Sequence, residues 1–142
     1  MEHIYYKIPL QLKQVTKMED CNMVSLAASV ANMLHLITIS NFGECKHDWK
    51  FGCAIWNHDF DTITNMQSFK EKVKVSVEEA VSTYEKRLSQ VIVEIGIEHI
   101  PIILKKRRVK NRISILVKGK LIQTNEDFSW KEQFFIGPLS YY

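Results

Sequence analysis

The sequence predicts an α+β domain, with two main helices packed on one face of a small, mostly antiparallel sheet. Two segments with helical apolar spacing come first, and alternating segments fill the last third of the chain. At 142 residues the chain is long enough to bury one core, and its 46% hydrophobic and 25% charged content is that of an ordinary globular protein.

Residues 1–19 mix lysines with apolar side chains and include Pro9, and they read as an N-terminal arm expected to order on a partner. Residues 20–142 read as a single domain. Asp20 is the expected N-cap of the first helix, on which Met23, Leu26, Ala27, Val30, Leu34 and Ile37 share a face. Asn41-Phe42-Gly43 is expected to stop it with a left-handed cap. Trp49, Phe51, Cys53 and Ile55 alternate as a short strand would, and Asn57-His58-Asp59 reads as a turn. Asn65 or Ser68 caps the second helix, whose inner face is Phe69, Val73, Val77, Ala80, Val81 and Tyr84. Its other face carries Lys70, Glu71, Lys74, Glu78 and Lys86, a solvated pattern.

The first clear strand places Val91, Val93, Ile95 and Ile97 on one side. The next does the same with Ile113, Ile115 and Val117, and Gly119 reads as a turn or bend. Gln133-Phe134-Phe135-Ile136, ahead of Gly137-Pro138, reads as a short edge strand.

The net charge of +3 is too small to imply a polyanionic partner by itself. No apolar run reaches the roughly 18–20 residues that span a bilayer. The N-terminus lacks the pattern of a signal peptide, and the three cysteines form no even framework. A cytoplasmic protein with reduced thiols is expected.

Several constellations hold residue types that can carry chemistry. Cys45, His47, Cys53 and His58 suggest metal ligation, but their spacing fits neither half of a structural zinc site. The basic run Lys105-Lys106-Arg107-Arg108, with Lys110 and Arg112, suggests phosphate binding; without stacking aromatics it reads as a solvated hairpin loop. Glu78, Glu79 and Glu85 invite comparison with the paired acids of glycoside hydrolysis, which stand about 5–9.5 Å apart across a cleft. Glu78 and Glu85 are two helical turns apart, roughly 10 Å, on one helix face, so all three acids read as surface charges. No cofactor, metal or small-molecule substrate is expected.

The corner at residues 84–88 stands out. Tyr84-Glu85-Lys86-Arg87-Leu88 joins the second helix directly to a strand, without Gly, Asn or Asp at the turn. Tyr84, Glu85, Lys86 and Arg87 are therefore the candidate partner-binding residues, a surface charge pair on a rigid corner.

With its two helices, the Phe51-Gly52-Cys53-Ala54-Ile55 segment and that corner, the chain resembles the small baseplate wedge family of contractile injection machines. The family includes the phage wedge subunit historically labelled lysozyme-like and the TssE component of type VI secretion. The likeness covers most of residues 22–136. The family's corner signature is Glu-Pro-Arg; Glu85 and Arg87 match it, and Lys86 replaces the Pro.

The resemblance implies a sheath-handshake-like fold and an assembly role in place of catalysis. The expected partners are TssF-like and TssG-like wedge proteins at the corner and sheath subunits by strand addition, with the baseplate on the cytoplasmic side of the inner membrane. Nucleic acid, membrane insertion and small molecules are not expected partners. The competing readings are an anti-adaptor-like regulatory binder of the same family, a lysozyme-type hydrolase and a nucleic-acid binder.

Overall fold

A computed structural model describes residues 5–18, 23–57, 65–102 and 108–136. Along these runs lie β1 (Tyr5–Tyr6), α1 (Leu12–Thr16), β2 (Met23–Val24) and α2 (Leu26–Ile39). One turn of 3-10 helix, Ala54–Asn57, precedes α3 (Met66–Tyr84), β3 (Leu88–Ile102), β4 (Arg108–Leu121) and β5 (Asp127–Ile136). The last three strands form an antiparallel sheet in the order β3-β4-β5, while β1 and β2 pair separately.

The alternation expected of the strands sets the register. Val93 lies opposite Val117, which lies opposite Trp130; Ile97, Ile113 and Phe134 form a parallel row. These side chains point inward, where the buried faces of α2 and α3 meet them. Val30, Leu34, Val73, Val77 and Val81 are fully buried there. Each contributes about 1.5–3 kcal/mol by leaving water. Both helices thus cover one face of the sheet, as the order of segments predicts.

α3 has the cap expected of it: the Asn65 side chain accepts a hydrogen bond from the Ser68 N–H at 3.1 Å. α2 does not. Its N-cap is Ser25, whose Oγ accepts from the Ala28 N–H at 3.3 Å, and Asp20 lies outside the described residues. Met23, which fits the helical spacing, belongs to β2 and is exposed.

The expected helix stop at Gly43 is also displaced. The C-cap of α2 is Ser40, and Gly43 takes its positive φ of 81° inside the following loop, where its N–H bonds the Trp49 carbonyl.

Residues 49–55 form no strand. Gly52, at φ 131°, turns the chain so that Cys53 and Ile55 enter the core by way of the 3-10 turn. A Cβ there would stand 2.5 Å from the Ser40 carbonyl oxygen, which leaves room for glycine alone. Of the predicted turn at 57–59, His58 and Asp59 lie outside the described residues.

Gly119 is not a turn. It sits within β4 opposite a β-bulge, where the register slips between Ser89 and Ile92 and Gln90 adopts φ 52°. The extra residue lets both Leu88 and Val91 face the core. A Cβ on Gly119 would lie 2.9 Å from the Ser89 carbonyl oxygen. β5 begins six residues earlier than the predicted edge strand, because Phe128 and Trp130 also face the core. The basic run is not wholly a loop either: Arg108 opens β4, and Lys105 to Arg107 lie outside the described residues. The arm is partly structured, since β1 pins Tyr5 and Tyr6 to β2.

Candidate functional site

The corner between α3 and β3 is held by a fork. Glu85 is the C-cap of α3, and its N–H closes on the Val81 carbonyl at 2.9 Å. Its carboxylate turns back over the corner and takes Arg87 in bidentate fashion. Arg87 Nε donates to Oε1 and one terminal nitrogen donates to Oε2, each at 2.8 Å. The Arg87 backbone N–H adds a third bond to Oε1 at 3.1 Å.

Long-range partners complete the arrangement. The other terminal nitrogen of Arg87 donates to Ser29 Oγ on α2 at 2.8 Å. The guanidinium lies 5.2 Å from the centre of the Tyr5 ring, within cation–π range. The Arg87 carbonyl accepts from the Ile122 N–H at 2.9 Å, which ties the β4–β5 turn to the corner. Helix α2, helix α3, β1 and the β4–β5 turn therefore converge on one residue. The hydrogen bonds to Glu85 hold the Arg87 pKa above its ordinary value despite partial burial.

The pair is not a free surface charge. The Glu85 side chain is 1% exposed and that of Arg87 is 23% exposed. A carboxylate tolerates such burial when charge-assisted bonds satisfy it, and here both oxygens are engaged. Lys86, between them, is exposed and donates to the Ser82 carbonyl at 2.8 Å, satisfying a helix-end acceptor.

Tyr84 faces a different neighbour. Its hydroxyl donates to Asp48 Oδ2 at 2.6 Å, and its ring meets Phe51 edge-on at 4.9 Å. The bond pushes the Tyr84 pKa up to about 12 and holds Asp48 below its ordinary value. Tyr84 thus anchors the loop between α2 and the 3-10 turn, with its hydroxyl already committed.

The other candidates disperse. Glu78 and Glu85 do line one shallow groove with Ser82, Lys86, Leu88, Gln90 and Val91, though one helix face was expected to keep them off any cleft. The Glu85 oxygens are taken by Arg87. Among the described residues, no three His, Cys, Asp or Glu side chains stand together as a metal set. Cys53 is buried with its Sγ against the Thr38 carbonyl at 3.4 Å, and burial pushes its thiol up to about 11. His58 lies outside the described residues. Arg112 pairs across the strands with Glu98.

The edge position read for residues 133–136 holds, since β5 is an outer strand. β3 and β5 each pair only with β4, so the described sheet has two open edges. No helix of the described residues is long and apolar enough to cross a membrane.

Comparison with known proteins bears on this geometry. A protein of Geobacter sulfurreducens, provisionally named a tail lysozyme, has a similar solved structure, with a TM-score of 0.60 at 20% identity over 85% of this chain and 100% of that one. Likeness at that identity speaks for the fold. No curated protein matches the chain. A family model described as baseplate wedge protein gp25 matches residues 24–126, a span from β2 to the turn before β5 that contains the whole corner. The chain belongs to the baseplate wedge protein gp25 family of contractile tails.

Proposed function

We propose that this chain is a structural joint of a contractile injection apparatus, TssE-like, which docks to TssF-like and TssG-like wedge proteins and joins the baseplate to the first sheath ring. It carries out no catalysis in this role and works on the cytoplasmic side of the inner membrane. The observation that carries the reading is the open edge of β5 on a sheet whose corner is internally locked. A free edge is a template for strand addition, and a joint needs that template held at a fixed angle.

The two edges are unequal. β3 carries the bulge between Ser89 and Ile92, and its Pro101 lacks an N–H. Both features impede pairing. β5 runs ten residues, Asp127–Ile136, with neither Pro nor Gly. β5 is therefore the edge that takes the sheath strand. Next to it lies α2, which contains no Asp, Glu, Lys or Arg and reaches β5 through His35 Nδ1 and Glu132 Oε2, 3.1 Å apart. An added strand would find a helix flank free of Asp, Glu, Lys and Arg beside it.

Tyr84, Glu85, Lys86 and Arg87 serve docking of the wedge partners as a unit. Glu85 and Arg87 set the corner's shape, Tyr84 fixes the adjoining loop, and Lys86 offers the exposed charge. The satisfied Glu85 carboxylate favours this role over a lysozyme-type acid, which must exchange a proton with substrate.

Co-expression with TssF-like and TssG-like proteins tests the reading. Stable co-purification is expected, together with no release of soluble fragments from peptidoglycan. Turnover of peptidoglycan that Glu85→Gln abolishes would instead establish the hydrolase.

A further inference from the structure

The N-terminal excursion between β1 and β2 is built unlike the rest of the molecule. Its base is fixed: Tyr5 pairs with Val24, Tyr6 pairs with Met23, and the Tyr5 hydroxyl donates to Gln123 at 3.3 Å. Ile8, Leu10, Leu12, Val15 and Met18 are all exposed, Leu12 by 70% and Met18 by 97%. None of the α1 residues is buried. Five large apolar side chains left exposed within eleven residues are more than scattered surface residues explain, and they mark a contact segment.

Charge selects the kind of surface. From Tyr5 to Met18 the chain holds Lys7, Lys13 and Lys17 and no Asp or Glu. The complement is an apolar groove rimmed by carboxylates. An anionic membrane also offers negative charge over apolar depth. Interfacial segments, however, present one long apolar helical face, and here α1 is only five residues, Leu12–Thr16. A residue every few positions along a short, bent segment suits separate pockets of a protein groove.

We propose that residues 7–18 form a clamp that inserts its apolar side chains into an acidic-rimmed groove of a wedge partner. This rests on the reading of the chain as a wedge component. The clamp's base shares Tyr5 with Arg87, so a partner held by the clamp also lies against the corner. Lysines at the rim would steer the approach, while Leu12, Val15 and Met18 would anchor the complex.

Two variants and one control test it, each measured for capture by co-expressed TssF-like and TssG-like proteins. The first is Leu12→Ser with Val15→Ser and Met18→Ser; the second is Lys13→Glu with Lys17→Glu. Since the substituted side chains are exposed, both should keep the wild-type melting temperature. Each should weaken capture at least about tenfold, and the lysine variant should flatten its salt dependence. Undiminished capture by the apolar variant overturns the clamp. Undiminished capture by the lysine variant overturns the acidic rim. The control is sedimentation with phosphatidylglycerol vesicles: binding that the variants lose, with wedge capture intact, overturns the protein partner in favour of a membrane. If wild-type protein captures no wedge partner, the wedge reading itself has failed, an outcome distinct from loss in the variants alone.

Discussion

Glu85 and Arg87 face each other across a single residue, with both carboxylate oxygens taken by the guanidinium at 2.8 Å while the Glu85 side chain is almost fully buried. A turn that lacks Gly, Asn and Asp is thereby closed by side-chain chemistry. The same guanidinium bonds Ser29, 58 positions away in the chain, so a local turn and the long-range packing of α2 are secured together.

The two partners should differ in cost when removed. Arg87→Ala leaves a buried carboxylate unpaired, and breaking such a pair costs about 3–5 kcal/mol. Glu85→Gln keeps an acceptor for Arg87, which retains some contact with water, so a loss of about 1–2 kcal/mol is expected. Urea unfolding of both variants checks the order. Equal, negligible losses would return the pair to the surface role expected from the sequence.

Tyr84 and Asp48 make stability depend on pH at both extremes. The Asp48 pKa is lowered from 3.8, so its share of stability is present above that value and lost as pH falls below it. The Tyr84 pKa is raised from 10.0 to about 12, so its share is present below pH 10.0 and lost as pH rises toward 12. Tyr84→Phe should melt below wild type between these limits, and the gap should close at either end. A gap independent of pH would contradict the bond.

Two glycines should differ in how much alanine costs them. At Gly52 a Cβ meets the Ser40 carbonyl oxygen at 2.5 Å with φ at 131°, so Gly52→Ala should cost at least about 2 kcal/mol. At Gly96 the nearest atom is the Ser114 hydroxyl at 3.2 Å, which can rotate away. Gly96→Ala should change stability by less than about 1 kcal/mol. Denaturant midpoints with unchanged slopes would read both.

Cys53 should resist alkylation in the native protein at neutral pH. Its thiol is fully buried and pushed up to about 11, leaving little thiolate to react. Labelling should appear only on unfolding. Mass spectrometry of native and denatured samples checks it.

Local patterns in the sequence carried much of the fold. Phe69, Val73, Val77 and Val81 disclose α3, and the odd-numbered apolar residues of β3 and β4 disclose the buried sheet face. The misreadings arose where distant contacts decide. Met23 fits a helix by spacing yet pairs with Tyr6. Trp49 to Ile55 alternates as a strand does, but the positive φ of Gly52 bends the segment into a turn. Gly119 resembles a turn residue because the bulge it accommodates lies on another strand.

At the candidate site, the proximity of Glu85 and Arg87 was legible from a two-residue spacing. Their burial was not. Ser29, Tyr5 and Ile122, which contact Arg87, arrive from elsewhere in the chain.

The most direct test of the joint is amide hydrogen exchange on the chain alone and in complex with the sheath subunits. Strand addition at the open edge should slow exchange along β5, Asp127–Ile136, and leave the β3 edge unchanged. Protection that appears on β3 while β5 stays as in the free chain, or protection on neither strand in a stable complex, would contradict it.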